Sequence, residues 1–158
     1  MGTETRRHLR RLDNVFIPSP IYYITGCAGK RAPVLASPRP AEVLVQTWRE
    51  APAVHGWLIG RYQIMPDHIH FFTAAGGRES GKDLSRFMGD WKRWTKKQLR
   101  ASGLMEFDWQ DEFFDHVLRS SESYSEKWEY VRLNPERAGL VTNADDWPYQ
   151  GEIEVLRW

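Results

Sequence analysis

Two histidines stand two residues apart in an apolar segment, and they are the first residues that could carry chemistry. The segment around His68 and His70 reads M-P-D-H-I-H-F-F, which favours a β-strand. Side chains alternate across a strand, so both imidazoles project from one face while Ile69 projects from the other. Two neutral imidazoles side by side form half of a divalent-metal site. Two histidines satisfied by hydrogen bonds would give the same pattern, so the pair alone does not decide between these interpretations.

A tyrosine and an asparagine near the carboxyl end of the chain could complete such a site. Tyr130 and Asn134 lie four residues apart in W-E-Y-V-R-L-N-P, so one helix would carry both on one face, one turn apart. A phenol has a pKa of about 10 and becomes a nucleophile when a cation or a base lowers the cost of ionising it. An amide oxygen of Asn134 on the same metal would bring Tyr130 next to that cation. A buried tyrosine followed by a helix-ending Asn-Pro pair is the structural alternative.

Basic residues recur at helical spacing between the histidines and the tyrosine. Residues 82–100 carry seven basic and two acidic side chains, whereas residues 104–158 carry five basic and thirteen acidic ones. A basic helix face beside Trp91 and Trp94 would suit a nucleic-acid backbone with stacked bases, and a solvated helix face is the alternative. The candidate DNA-binding residues are Lys82, Arg86, Arg93, Lys97, Arg100 and Arg132, together with Arg6, Arg7, Arg10 and Arg11 near the start of the chain. His116 is a candidate auxiliary residue, with a structural hydrogen bond as its alternative role.

Length and composition indicate one domain without disulfide or membrane features. The 158 residues are enough for a single domain with a real core, and eight tryptophans indicate a well-packed interior, aromatic surface platforms, or both. The single cysteine, Cys27, excludes an internal disulfide and suits a reducing cytoplasm. No run of about 18 apolar residues occurs, and the arginine-rich start lacks the apolar region of a signal peptide. We therefore expect a cytoplasmic protein that does not bind membranes.

Apolar periodicity, together with proline and glycine, predicts the elements that must position these residues. Strands are predicted at 21–25, 57–64, 68–74 and 113–119, with Met65-Pro66-Asp67 connecting the middle two as a hairpin. Three helices are predicted: the first begins near Pro40, and the second spans about Ser80 to Ala101. The third follows a capping box of Ser123 and Glu126 and ends or kinks at Pro135 and Gly139. The order βαββαβ plus a tyrosine-bearing helix predicts an α+β fold, with a ferredoxin-like antiparallel sheet and helices on one face. We divide the chain into a basic N-terminal arm (1–20), one domain (21–150) and a C-terminal tail (151–158).

Three sequence blocks together resemble a known family. The blocks are M-P-D-H-I-H-F, W-Q-D-E-F-F-D-H-V-L-R and W-E-Y-V-R-L-N-P-E-R-A-G-L-V. They are similar, in order and spacing, to the REP-associated tyrosine transposases, which are single-tyrosine members of the HUH endonuclease group (histidine, hydrophobic, histidine). The resemblance extends from about residue 21 to residue 149.

The resemblance implies a role for each candidate residue. His68 and His70 match the metal ligands of the family, Asn134 matches its polar third ligand, and Tyr130 matches its nucleophile. The family uses Mg²⁺ or Mn²⁺ and cleaves single-stranded DNA near a hairpin, leaving a 5′-phosphotyrosine and a free 3′-hydroxyl. The basic arm loosely resembles the family's N-terminal segment, which helps to recognise a short guide sequence beside the hairpin.

The function expected from this resemblance is that of a transposase-like endonuclease and strand transferase acting on stem-loops in single-stranded DNA, including REP-like hairpins. No nucleotide cofactor is needed. A domesticated hairpin-binding protein, for DNA or RNA, with little or no catalysis is one alternative. A metal-dependent phosphoesterase using activated water, in which Tyr130 is incidental, is another. We favour a monomer that uses its own tyrosine, with a homodimer that exchanges tyrosine helices as the alternative.

Overall fold

The computed structural model describes residues 20–76 and 82–157, which form an antiparallel sheet with helices on both of its faces. The strands are β1 (Ile21–Cys27), β2 (Trp57–Ile64), β3 (His68–Ala75), β4 (Phe114–Leu118) and β5 (Gln150–Glu152). The helices are α1 (Pro38–His55), α2 (Leu84–Ala101), α3 (Ser121–Arg132) and α4 (Asn134–Arg137), and single 3-10 turns occur at Gly29–Arg31 and Ala144–Asp146. The predicted arm with Arg6, Arg7, Arg10 and Arg11, and the predicted helix start at Ser80, lie outside the described residues.

The order of the strands confirms the predicted fold. The sheet runs β4-β1-β3-β2-β5, and every pair of neighbours is antiparallel. The first four strands and the two helices that connect them make the βαββαβ unit of a ferredoxin-like arrangement, and both helices pack on one face as predicted. The tyrosine-bearing helix α3 packs on the opposite face, so the helices as a whole are not confined to one face. Strand β5 was not predicted; it adds a short edge to β2 and includes the start of the segment that we interpreted as a C-terminal tail.

Helix α1 forms where the apolar period and the prolines agree. Pro38 and Pro40 lie in its first turn, where a missing N–H costs no hydrogen bond. Leu44, Trp48 and Ala51 follow at spacings of four and three residues, and all three are fully buried.

The two faces of the sheet carry different residues. On the first, which we call the core face, Phe71 of β3 packs against Trp48 of α1 and Trp91 of α2, with ring centroids 5.2 and 5.3 Å apart. On the opposite one, which we call the site face, Phe72 packs against Tyr124 of α3 with centroids 4.7 Å apart. Because side chains alternate along β3, the two histidines share the site face with Phe72.

Helix α2 differs from its prediction in two respects. Its N-cap is Asp83, whose side chain accepts a hydrogen bond from the Arg86 backbone N–H, so the helix begins at Leu84 rather than near residue 80. The interpretation of Trp91 as a platform for nucleic-acid bases is wrong. Its ring is fully buried and stacks on Trp48, because the apolar face of α2 faces the core. None of the helices in the described part of the chain combines the length and apolar composition of a membrane span.

The last helical segment is also interrupted where a continuous helix was predicted. The capping box of α3 pairs Ser120 with Ser123 rather than Ser123 with Glu126. The segment breaks at Leu133, and α4 begins at Asn134 with Pro135 in its first turn. Proline has no N–H for the carbonyl four residues earlier, so the helix ends and restarts here. Tyr130 and Asn134 therefore lie on two consecutive helical segments, and their prediction on one continuous helix is wrong.

Candidate active site

The two histidines of β3 lie against each other on the site face, and each is held by a neighbouring side chain. Their ring centroids are 4.9 Å apart and the rings are nearly perpendicular. His68 Nδ1 lies 2.8 Å from Asp67 Oδ1. His70 Nδ1 lies 2.8 Å from the Tyr23 hydroxyl and 3.0 Å from the Thr25 hydroxyl. These hydrogen bonds fix both rings and engage the Nδ1 atom of each.

This arrangement fits the donor set of a metal site. A histidine whose Nδ1 is hydrogen-bonded presents Nε2 to a metal, and its partner sets the orientation of the ring. Burial, assisted by the charges of His68 and Lys127, lowers the pKa of His70 to about 3, so His70 is neutral at physiological pH. Residues 20–76 and 82–157 contain no group of three His, Cys, Asp or Glu side chains that could hold a metal ion. A cation here would therefore need oxygen ligands from an amide, water or a substrate, which are ligands that Mg²⁺ and Mn²⁺ both accept.

Tyr130 lies beside this cluster and is open to solvent. Its side chain is 62% exposed. Arg137 covers one side of the ring, with the guanidinium carbon 4.1 Å from the ring centroid, and it donates a hydrogen bond of 2.7 Å to the Tyr130 carbonyl. Lys127 Nζ lies 5.9 Å from the centroid of Tyr130 and 5.1 Å from that of Tyr23. Because the Tyr23 hydroxyl contacts His70, Lys127 links the exposed tyrosine to the histidine pair.

Asn134 joins the site through a glutamine that the sequence analysis did not identify. Its Nδ2 donates to Gln63 Oε1 at 3.2 Å, and its Oδ1 accepts a hydrogen bond from Arg137. Gln63 of β2 is fully buried and lies directly opposite His70 on the neighbouring strand. Asn134 is therefore connected to the position beside His70 through the side chain of Gln63. The signal for Gln63 is its register opposite His70, and register is not visible in the sequence of a single strand.

A strained turn at Lys30 and Arg31 supports His68 through Asp67. Asp67 accepts hydrogen bonds from His68 and from Arg31, the latter at 2.9 Å. Although burial opposes it, these two hydrogen bonds hold the pKa of Asp67 below its ordinary value. Lys30 and Arg31 have φ angles of 56° and 51°, a left-handed conformation that costs non-glycine residues free energy. The strained turn brings Arg31 onto Asp67, and a single sequence does not predict it.

Most of the predicted DNA-binding residues lie away from the histidines. Helix α2 packs on the core face, so the sheet separates its basic residues from the site. Arg93 and Lys82 both pair with Asp90, and Lys82 also contacts His55. Arg100 donates to the Phe107 carbonyl, while Arg86 and Lys97 are exposed.

Two other predicted residues lie nearer to the site. Arg132 pairs with Glu129 and Asp145, at 3.0 and 3.1 Å, so it does not contact the histidines. His116 is exposed on β4 and is the cross-strand partner of Tyr23, which puts it on the site face. The geometry therefore brings together His68, His70, Tyr130 and Asn134, with His116 at the margin.

Two curated proteins with similar sequences carry the same family name. No model of a known protein family matches the sequence. A REP-associated tyrosine transposase of Escherichia coli (strain K12) is 26% identical over 108 residues, which cover 67% of this chain and 58% of that protein. A candidate REP-associated tyrosine transposase of Haemophilus influenzae is 25% identical over 103 residues, which cover 54% of this chain and 53% of that protein. The chain thus spans less than two thirds of the length of these relatives.

Two solved structures of proteins named as transposases share the fold of this chain. A candidate transposase from Deinococcus radiodurans superposes with a TM-score of 0.56 and 15% identity, covering 72% of this chain and 88% of that one. A REP-associated tyrosine transposase bound to a REP hairpin superposes with a TM-score of 0.68 and 22% identity, covering 83% of this chain and 75% of that one. The chain therefore has an α+β fold found in transposases. The chain is thus similar in sequence, over part of its length, to proteins named REP-associated tyrosine transposases, and it shares its fold with a solved member of that name.

Proposed function

We propose that the chain cleaves and rejoins single-stranded DNA beside stem-loops, using Tyr130 as the nucleophile. The observation that carries this proposal is the grouping of an exposed tyrosine with two side-by-side imidazoles on one face of the sheet. Lys127 connects the two parts of this group, because it lies near the rings of both Tyr130 and Tyr23, and Tyr23 contacts His70. The names of the relatives support the same chemistry.

A divalent cation, Mn²⁺ or Mg²⁺, would be held by His68 and His70, with Asn134 as the candidate third ligand. The Asn134 oxygen accepts a hydrogen bond from Arg137, and an amide oxygen has a second lone pair for a further partner. When bound, such an ion polarises a phosphodiester and offsets the charge that develops on the departing oxygen. Asp67, Tyr23 and Thr25 keep the two rings oriented for this task.

The reaction that these residues support is an exchange of one phosphodiester for another. The Tyr130 oxygen forms a bond to phosphorus while the bond from phosphorus to the 3′ oxygen breaks. The phenol loses its proton to solvent and the 3′ oxygen gains one, which leaves a 5′-phosphotyrosine and a 3′-hydroxyl. Attack by a second 3′-hydroxyl reverses the step and frees Tyr130. Arg137, stacked on the ring and bound to the Tyr130 carbonyl, limits the orientations of the nucleophile.

The substrate we propose is a DNA stem-loop, since one structural neighbour is bound to a REP hairpin. The exposed residues Arg86 and Lys97 on α2 are proposed phosphate contacts away from the reacting bond. The arginines of the N-terminal arm, which lie outside the described residues, are proposed as further phosphate contacts. We propose a monomer that uses its own tyrosine, because α3, which carries Tyr130, packs on the strand that carries the histidines through the contact of Tyr124 with Phe72.

One experiment distinguishes this proposal from its alternatives. The protein is incubated with a labelled hairpin oligonucleotide and Mn²⁺ or Mg²⁺, and products are separated on a denaturing gel. The expected result is a covalent protein–DNA band that Tyr130→Phe abolishes. Tyr149→Phe, at a half-buried tyrosine away from the histidines, serves as the matched control and keeps the band. Hairpin binding without a product would instead support a binding protein, and cleavage that survives Tyr130→Phe would support a water-dependent phosphoesterase.

A further inference from the structure

The site contains a lysine that neither the sequence motifs nor the comparisons identify. Lys127 lies on α3, three residues before Tyr130, and is half-buried between two aromatic rings. Its Nζ is 5.1 Å from the centroid of Tyr23 and 5.9 Å from that of Tyr130. Aromatic faces attract a cation weakly, which keeps the ammonium group at this position.

Lys127 differs from the other cations around the site in what it binds. Arg31 is paired with Asp67, and Arg61 is paired with Glu152. Arg137 donates to two oxygens, those of the Tyr130 carbonyl and the Asn134 amide. Within residues 20–76 and 82–157, Lys127 contacts aromatic rings but no carboxylate or other oxygen acceptor within bonding distance. Its helix also carries Glu122, Glu126 and Glu129, and Lys127 pairs with none of them.

A lone positive charge at this position opposes the binding of a cation by the neighbouring histidines. The ammonium group of Lys127 faces the ring of Tyr23, whose hydroxyl lies 2.8 Å from His70 Nδ1, so its charge lies next to the histidine pair. Its presence is therefore costly for a site that binds a metal alone, unless an anion joins the complex. A phosphodiester supplies such an anion, and its non-bridging oxygens accept hydrogen bonds from an ammonium group.

We propose that Lys127 is a catalytic residue that binds a non-bridging oxygen of the phosphodiester attacked by Tyr130. The proposal rests on the proposed function and deepens it by identifying the residue that receives the reacting phosphate. The ammonium group would neutralise the charge that builds on phosphorus during the attack, and it would draw the phosphate towards the phenol oxygen. It takes no part in proton transfer, so the balance of the exchange described above is unchanged.

The test compares the rate of covalent adduct formation with the affinity for the hairpin. Lys127→Met keeps the alkyl stem against the rings and removes the charge. We expect adduct formation at saturating DNA to fall about 100-fold, as for loss of one donor in a transition-state site. Hairpin affinity should change by less than about threefold, because one contact among many phosphate contacts contributes little. Lys127→Arg should recover most of the rate. Arg49→Met, which removes an exposed positive charge from α1, is the control and should match the wild-type protein.

A second substrate separates charge from packing. With a neutral methylphosphonate at the position where the wild-type protein cleaves, the ratio of wild-type to Lys127→Met rates should fall from about 100 to within about threefold, as expected when one partner of a pair is removed. Equal adduct rates for the wild-type protein and folded Lys127→Met overturn the role of Lys127 and leave the function of Tyr130 intact. Absence of any Tyr130-dependent adduct from the wild-type protein overturns the proposed function and this role with it.

Discussion

Neighbouring residues of β3 belong to two different environments. Ile69 and Phe71 point to the core face, where they are fully buried among the aromatic rings of α1 and α2. His68 and His70 point to the site face, where each ring bonds a polar side chain. Ile69 and Phe71 contribute to the core face by packing, so any well-fitting apolar side chain would serve at these two positions. The site face contains groups whose identity matters one by one, which is typical of a site rather than a core.

The largest contrast that this comparison predicts lies within one dipeptide. His68→Ala should abolish adduct formation, since it removes one of the two imidazoles, while leaving most of the hairpin affinity, to which phosphate contacts contribute most. Ile69→Val should lower the free energy of unfolding by about 0.5–1.5 kcal/mol and leave the adduct rate of the folded protein unchanged. Denaturing gels, hairpin titrations and urea unfolding measure the three quantities. If folded His68→Ala loses hairpin binding outright, the assignment of His68 is wrong; if Ile69→Val stops the reaction, the two faces are not separable.

The period of two along β3 is also why this part of the site could be predicted. Strands β2 and β3 were predicted to within a residue, because Pro66 marks their connection and the apolar alternation sets their direction. The direction of His68 and His70 followed from the same rule. The neighbours of these residues did not, because cross-strand register and helix packing depend on contacts between distant segments. Gln63 and Lys127 were missed for that reason, and so was the packing of α2 on the face opposite the histidines.

The sequence pattern of a capping box predicted the start of α3 at the wrong serine. A serine with an acidic residue three positions later predicted the capping box at Ser123, but the structure uses Ser120, where the chain leaves β4. The strand β5 is only three residues long, and its pairing with β2 rather than its own sequence makes it a strand. Roles for the arginines of the arm stay predictions.

The second prediction tests the core face. Trp48 is fully buried, and its ring stacks on Trp91 with centroids 5.8 Å apart. Trp48→Ala should reduce the free energy of unfolding by about 3–5 kcal/mol, measured by urea denaturation. Trp48→Phe should cost less, since it keeps an aromatic ring and also removes an indole N–H that has no hydrogen-bond partner among the described residues.

The activity of these two variants decides whether the faces act independently. At a temperature where both are folded, adduct formation should stay within about threefold of the wild-type rate, because distant sites contribute additively. A folded Trp48→Phe protein with little activity would mean that core packing controls the position of the histidines, and the comparison between faces would then fail.

The third prediction concerns Gln63, a buried side chain that supports the site from β2. Gln63 is fully buried, accepts a hydrogen bond from Asn134 and lies 3.5 Å from Gln150 Oε1, to which its Nε2 donates. Gln63→Leu removes the hydrogen bonds to Asn134 and to Gln150, and it should lower the free energy of unfolding by about 1–3 kcal/mol. It should also slow adduct formation about tenfold, because Asn134 loses the group that orients it. Gln150→Ala breaks the weaker bond but keeps the one to Asn134, so it should cost stability without slowing the reaction. Equal rates for the wild-type protein and folded Gln63→Leu would mean that Gln63 does not position Asn134, and that the hydrogen bond from Arg137 alone holds the Asn134 oxygen for the reaction.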